Sequence, residues 1–313
     1  MIKTVKLAVI ATFAIATLPA MATDYNSSDN LSLNHNISLS YDHGFSCESG
    51  DGSRHSRSLS VVGLTEDMQL VCFNENRPGY VRSIGFISNL RGGDALVGID
   101  FRVQDSKLYG VSKSGGVYIL DTRNAVATKV SQLTVALHGT SFGVDFNPAA
   151  DRLRIVSDTG QNLRHNVNTG GVTLIDDPLD YPPSAPLNAV GPTVTFATGS
   201  AYTNNDLVAT TGTTLYTVDT LLDQIALQSP PNDGTLAATG KLGTDASSAV
   251  GFDIHSTIRE GATVSVQALA SLQSVNGPNN LYSISLPTGK ATSRGSFPGQ
   301  YKIIGIAIPL NQL

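Results

Sequence analysis

Gly98-Ile99-Asp100-Phe101, Gly143-Val144-Asp145-Phe146 and Gly251-Phe252-Asp253-Ile254 are near copies of one phrase, and Gly305-Ile306-Ala307-Ile308 is a worn copy close to the C-terminus. Gly98 and Gly143 stand 45 residues apart, and the 108 residues from Gly143 to Gly251 are two steps of the 54 that separate Gly251 from Gly305. A strand-length phrase that returns at such intervals, followed each time by Gly, Asn, Asp or Ser turn chemistry, marks a repeated supersecondary unit. Units of this size build stacked or circular all-β architectures.

Working outward, the cleanest unit reads as strands at 96–101, 107–111, 117–121 and 127–133. The next runs 142–146, 152–156, 162–166 and 171–175. A third is expected at 194–202, 206–210, 214–219 and 224–228, and a fourth at 250–254, 263–269, 280–286 and 291–297. Each segment is short, rich in apolar or β-branched residues and bounded by turn formers. Residues 60–63, 69–74 and 79–86 look like the second, third and fourth strands of a unit that lacks a first. Residues 302–308 look like a first strand with nothing after it. Joining the two completes a sheet and removes two exposed edges. The expected fold is therefore an all-β propeller of five four-stranded blades, closed by the C-terminal strand joining the first blade. A sixth blade would need strands within 177–193 or 230–248, which read as Pro/Gly loops.

The remainder of the chain sets compartment and partners. Lys3 and Lys6, the apolar stretch 7–18 and Ala20-Met21-Ala22 form a secretory signal with cleavage near Ala22. The expected organisation is a signal peptide over 1–22, a polar arm over 23–58 and the propeller over 59–313, with no membrane span, in a secreted or periplasmic protein. Cys47 and Cys72 are the two cysteines of the chain, and in an oxidising compartment they are expected to pair. Charged residues make up 14% of the sequence and the formal net charge is −5. Without a basic stripe, nucleic acid is a poor partner.

Three groups of residues invite chemistry. Asp100, Asp145 and Asp253 occupy one position of the repeated phrase, so innermost strands would bring them to the axis. Clustered carboxylates hold a divalent cation such as calcium, or each accepts backbone N–H groups and sets the blade spacing. Ala201 and Ala307 stand at the matching places, which leaves the ring of carboxylates incomplete. Arg152, Arg154, Asp158, Gln161, Asn162 and Arg164 are the densest polar stretch. They suit an acidic or sugar-like ligand, or an internal ion-pair network. Tyr202 and Asn204 put an aromatic beside amides, a pairing suited to carbohydrate or peptide. The six histidines show no zinc spacing, and no nucleophile elbow, phosphate loop or calcium loop occurs.

Several longer phrases resemble a known family. They are Val97-Gly98-Ile99-Asp100-Phe101-Arg102, Thr140-Ser141-Phe142-Gly143-Val144-Asp145-Phe146-Asn147-Pro148, the run from Asp151 to Arg164, Ala201-Tyr202-Thr203-Asn204 and Pro230-Pro231-Asn232-Asp233-Gly234-Thr235-Leu236. Together they are similar to the bacterial family called domain of unknown function 4394, over about residues 60–310. The resemblance implies a secreted or envelope-associated propeller-like domain and carries over no catalytic residue. Val103 departs from it where a proline is common, and His165 where an aliphatic residue is common.

The residues then favour a non-catalytic binding or scaffolding propeller that presents loops to a protein or carbohydrate-like ligand. The rival is a metal-assisted hydrolase or lactonase-like enzyme at the channel mouth, using the three aspartates with His138 and His255. A structural component of an envelope or matrix is the third possibility.

Overall fold

Hairpin chemistry dominates the local structure. In the computed structural model, which describes residues 58–182, 196–208, 210–275, 277–310 and 312, short apolar runs alternate with tight turns. At one of these turns Glu260 and Gly261 both adopt positive φ, 52° and 82°. That is the backbone a two-residue hairpin requires, because its twist matches that of the flanking strands.

Strands β1 (Ser60–Thr65), β2 (Gln69–Asn74) and β3 (Arg82–Phe86) open the fold. Blade II follows as β4 (Leu96–Arg102), β5 (Lys107–Ser112), β6 (Gly116–Leu120) and β7 (Ala127–Gln132). Blade III is β8 (Phe142–Asn147), β9 (Arg152–Ser157), β10 (Asn162–His165) and β11 (Thr173–Ile175). Blade IV is β12 (Ala197–Tyr202), β13 (Leu215–Asp219), β14 (Gln224–Gln228) and β15 (Leu236–Lys241). Blade V is β16 (Val250–Arg259), β17 (Ala262–Gln273), β18 (Asn279–Ile284) and β19 (Ala291–Ser296). The last strand, β20 (Ile303–Ala307), pairs antiparallel with β1, so blade I has the order β20-β1-β2-β3. The five-bladed propeller and its one-plus-three closure are both present.

The apolar core lies between blades. Tyr109, Val111 and Val117 of blade II pack on Phe142, Phe146 and Leu153 of blade III. Val62 and Leu64 of blade I meet Ile99 and Leu108 of blade II. Equivalent clusters fill the seams III–IV, IV–V and V–I. Inner and middle strands are thus buried on both faces, as the unbroken burial of β1 and β12 shows. Each seam that buries a large side chain contributes about 1.5–3 kcal/mol for it.

Blade IV departs from the expected strand positions. Residues 206–208 form no strand, because the Asp206 carboxylate accepts the Val208 N–H within a local turn and the Thr263 N–H from blade V. Every later segment of that unit moves up one place, and its fourth strand is β15, inside the 230–248 stretch expected to be loop. That strand buries mainly Leu236 among Ala, Thr and Gly, so it carries almost no hydrophobic signal and is held by ladder bonds to β14. The β16–β17 hairpin is also longer than expected. The signal peptide, the arm up to residue 57 and Cys47 lie outside the described residues, while Cys72 is wholly buried on β2. No helix among the described residues is long and apolar enough to cross a membrane.

Candidate functional site

Glycine decides how closely the innermost strands approach one another. Gly98, Gly143, Gly199, Gly251 and Gly305 occupy the same place on β4, β8, β12, β16 and β20. A Cβ on Gly143 would sit 2.6 Å from Ser200 N, and one on Gly251 would sit 2.6 Å from Ile306 N. With no side chains there, the five strands close on the axis and leave about 10 Å³, at the lower limit for a single water. The axis is a packed seam at this level, with no room for a substrate.

Two residues further along these strands are the three aspartates. They are almost wholly buried, and one ligand oxygen of each lies within 4.8 Å of the others. Asp100 Oδ2 accepts the Phe146 N–H at 2.7 Å, Asp145 Oδ1 accepts that of Tyr202 at 3.0 Å, and Asp253 Oδ2 accepts that of Ile308 at 2.5 Å. Each carboxylate therefore reaches forward to the innermost strand of the next blade. The two alanines fit the same scheme. Ala201 and Ala307 offer no acceptor to the blades that follow them, and there the aspartate serves its own strand. Asp253 Oδ1 accepts the Ile254 N–H at 2.5 Å, and the Phe101 N–H bonds to Asp100. Three carboxylates thus satisfy the five equivalent N–H groups around the axis.

Their ionisation is costly. Burial, then the charge of Asp253, pushes Asp100 well above the usual carboxylate range. Burial, then the charges of Asp100 and Asp253, does the same to Asp145. Burial raises Asp253 to about 6, against the opposing pull of the Ile308 and Ile254 N–H groups. None of the ion pairs among the described residues involves these aspartates. The geometry fits a hard divalent cation, since oxygens 2.3–2.6 Å from calcium stand up to about 5 Å apart.

The second group of sequence candidates divides. Arg154, Asn162, Arg164 and Tyr202 come together at the seam of blades III and IV. Arg154 donates to Tyr202 Oη at 3.2 Å, Asn162 Oδ1 at 2.7 Å, Asp176 Oδ2 at 2.6 Å and Asn232 Oδ1 at 2.8 Å. Arg164 donates to the other oxygen of Asp176 at 2.9 Å. Arg154 and Asp176 are nearly inaccessible, and the donors of Arg154 are spent inside the protein. Arg152 donates to the carbonyls of Ala150 and Asp151, and Gln161 bridges His138 N and the Ala136 carbonyl. Asp158 accepts the N–H groups of Thr140 and Ser141. Asn204 bonds to the Gly212 carbonyl. Asp176, Gln228 and Asn232 complete the Arg154 cluster from other strands and loops, and no local pattern ties them to Arg154.

Two features come from tertiary packing alone. A depression of about 260 Å³ opens where the innermost strands begin, lined among others by Glu66, Val97, Thr140, Phe142, Ser248 and Ile304. Separately, Ser131 Oγ on β7 lies 2.8 Å from His165 Nε2 on β10.

The family described as "Domain of unknown function (DUF4394)" matches residues 69–307. No curated protein matches the chain. Among solved structures, it is similar to a structural genomics protein of unknown function from Bacteroides thetaiotaomicron VPI-5482, at 11% identity and TM-score 0.43, covering 75% of this chain and 55% of that one. It is similar to a chain of a mitotic checkpoint complex at 15% identity and TM-score 0.37, covering 79% and 77%. An auxiliary nutrient binding protein from Bacteroides ovatus ATCC 8483 shows 12% identity and TM-score 0.36, covering 72% and 56%. The chain thus spans about half the length of the first of these.

Proposed function

We propose that this chain, which belongs to the domain of unknown function 4394 family, is a non-catalytic binding propeller that takes a small, sugar-like ligand or a partner's loop on one face of its ring. The observation that carries this reading is the pairing of a closed axis with the 260 Å³ depression above it. Thr140, Ser141 and Ser248 offer hydroxyls and Glu66 a carboxylate around an apolar floor of Val97, Phe142 and Ile304. A few polar groups on an apolar floor is the usual composition of a small-molecule site. The Arg154 cluster belongs to the scaffold in this reading, because its donors already have partners.

Calorimetry with a panel of soluble mono- and oligosaccharides on the mature protein tests it. Binding that Ser248→Trp abolishes supports the depression as the site. Binding that survives this substitution, or turnover of the bound sugar, removes the proposal.

A second reading adds a structural divalent cation at Asp100, Asp145 and Asp253, supported by the convergence of three buried carboxylates without a basic partner among the described residues. Its check is the metal content of purified protein, where one calcium per chain in the wild type and none in Asp145→Asn is expected. The same proposal places the mature protein outside the cytoplasm, with cleavage near Ala22 and a bond between Cys47 and Cys72. Terminal sequencing and a non-reducing peptide map of exported protein test those two points.

A further inference from the structure

Ser131 and His165 are 34 residues apart in sequence and belong to different blades. Packing of blade II on blade III sets Ser131 Oγ 2.8 Å from His165 Nε2, and His165 Nδ1 lies 3.0 Å from Thr173 Oγ1 on β11. Thr173 is itself held on both sides. Its Oγ1 accepts the Thr134 N–H at 2.9 Å, and its own N–H donates to Thr134 Oγ1 at 3.0 Å. The imidazole is fully buried and so clamped from behind, while Ser131 is half-buried and its chain neighbour Val130 is exposed.

The ring also bonds to the backbone of Val172, the chain neighbour of Thr173. The reaction requires the ring proton on Nδ1, which leaves Nε2 to accept the Ser131 O–H. A hydroxyl held against a neutral imidazole that a third group orients is the arrangement by which serine is made nucleophilic. We propose that Ser131 is an activated nucleophile that accepts an acyl group from an activated ester, with His165 as its general base.

In the step, Ser131 Oγ bonds to the carbonyl carbon of the ester while its proton passes to His165 Nε2. The ester C–O bond then breaks, and the leaving alkoxide takes the proton from the imidazolium. Acyl-Ser131 and a neutral ring remain, with no other reactant needed. Burial, with a smaller contribution from the Arg152 charge on β9, lowers the His165 pKa and keeps the ring unprotonated into mildly acidic solution. None of the ion pairs among the described residues pairs a carboxylate with this ring.

The test treats the mature protein with p-nitrophenyl acetate and follows acetylation by intact mass and peptide mapping. One adduct is expected, on Ser131, formed about 10²-fold faster than on any other serine. Ser131→Ala should lose that adduct while remaining folded and keeping any sugar binding, which separates this proposal from the preceding one. His165→Gln should slow acetylation by a similar factor. Should that variant fold poorly, the pH profile of the wild type decides, because general-base assistance requires a rate that is flat from pH 8 to 6.5 and falls below it. Absence of an adduct on Ser131, or a rate on Ser131 that climbs steadily with pH as for an unassisted hydroxyl, overturns the proposal.

Discussion

Asp253 and Ile308 are 55 positions apart in sequence, yet the carboxylate of the first accepts the backbone N–H of the second at 2.5 Å. This contact holds the end of the closing strand against blade V, and the same carboxylate also takes the Ile254 N–H. Asp253→Ala leaves two buried N–H groups without partners, each costing about 1–3 kcal/mol. Asp253→Asn keeps one acceptor oxygen, enough for one of the two N–H groups, and removes a buried charge. The alanine variant should therefore be less stable than the asparagine variant by about 1–3 kcal/mol in urea denaturation. Equal midpoints for the two would show that the contact does not hold the closure.

The pH dependence of stability should carry the signature of buried acids. Asp253 titrates near 6 in the folded protein and near 3.8 when unfolded. The folded state thus holds its proton more firmly, and this group's contribution is present below pH 3.8, is lost as the pH rises through 6, and stays flat above. The loss is about 3 kcal/mol for a shift of this size. Asp100 and Asp145 act in the same direction. His255, lowered by burial, opposes them, since its contribution is present above about 6.5 and disappears as the pH falls through its lower folded value. In chelator, the wild type should lose thermal stability relative to Asp253→Asn between about pH 4 and pH 6. Calcium should raise the melting temperature more at pH 8 than at pH 5, because the cation competes with protons for the same oxygens. A calcium effect that is the same at both pH values counts against an axial ion.

The axial glycines should differ sharply in what they tolerate. Gly143→Ala drives a methyl to within 2.6 Å of the Ser200 nitrogen and 2.8 Å of the Gly199 carbonyl carbon, and backbone cannot move aside. Gly305→Ala meets Leu64 Cβ at 3.5 Å, an ordinary contact. The first should lose about 3 kcal/mol or more and the second less than about 1. Chemical denaturation of both variants checks the difference, and similar losses would mean the inner strands are spaced by something other than glycine.

Arg154→Lys should be nearly as damaging as Arg154→Met. The guanidinium serves Tyr202, Asn162, Asp176 and Asn232 together, and a single ammonium cannot span that fork. Loss of one partner of a buried pair costs about 3–5 kcal/mol. Faster proteolysis at residues 230–234, which Asn232 anchors to this cluster, is the expected readout. A lysine variant of wild-type stability would show that one charge suffices there.

How much of this was legible depends on where the signal was local. Asp100, Asp145 and Asp253 could be aligned because the phrase Gly-x-Asp-x recurs, and that alignment also placed Ala201 and Ala307 opposite them. The phrase could not show that three carboxylates serve five N–H groups, since which acceptor each donor meets depends on the distance between strands. Blade IV was misplaced by one strand, because Leu236 to Lys241 lies on the rim, where a strand buries little and leaves no periodic trace. The Arg154 cluster was half visible: Arg154, Asn162 and Arg164 sit in one polar run, while Asp176 and Asn232 arrive from elsewhere. Ser131 and His165 were invisible as a pair.

Strand length, turn chemistry and the period of the glycine phrase are properties of neighbouring residues, and from them the chain alone determined the number of blades and the closure of the ring. What those blades bring together was decided only in the tertiary structure. Contacts between carboxylates, between Arg154 and its four acceptors, and between Ser131 and His165 join segments tens of residues apart, and they turn on tenths of an ångström set by packing across the seams. A linear pattern carries no such distances.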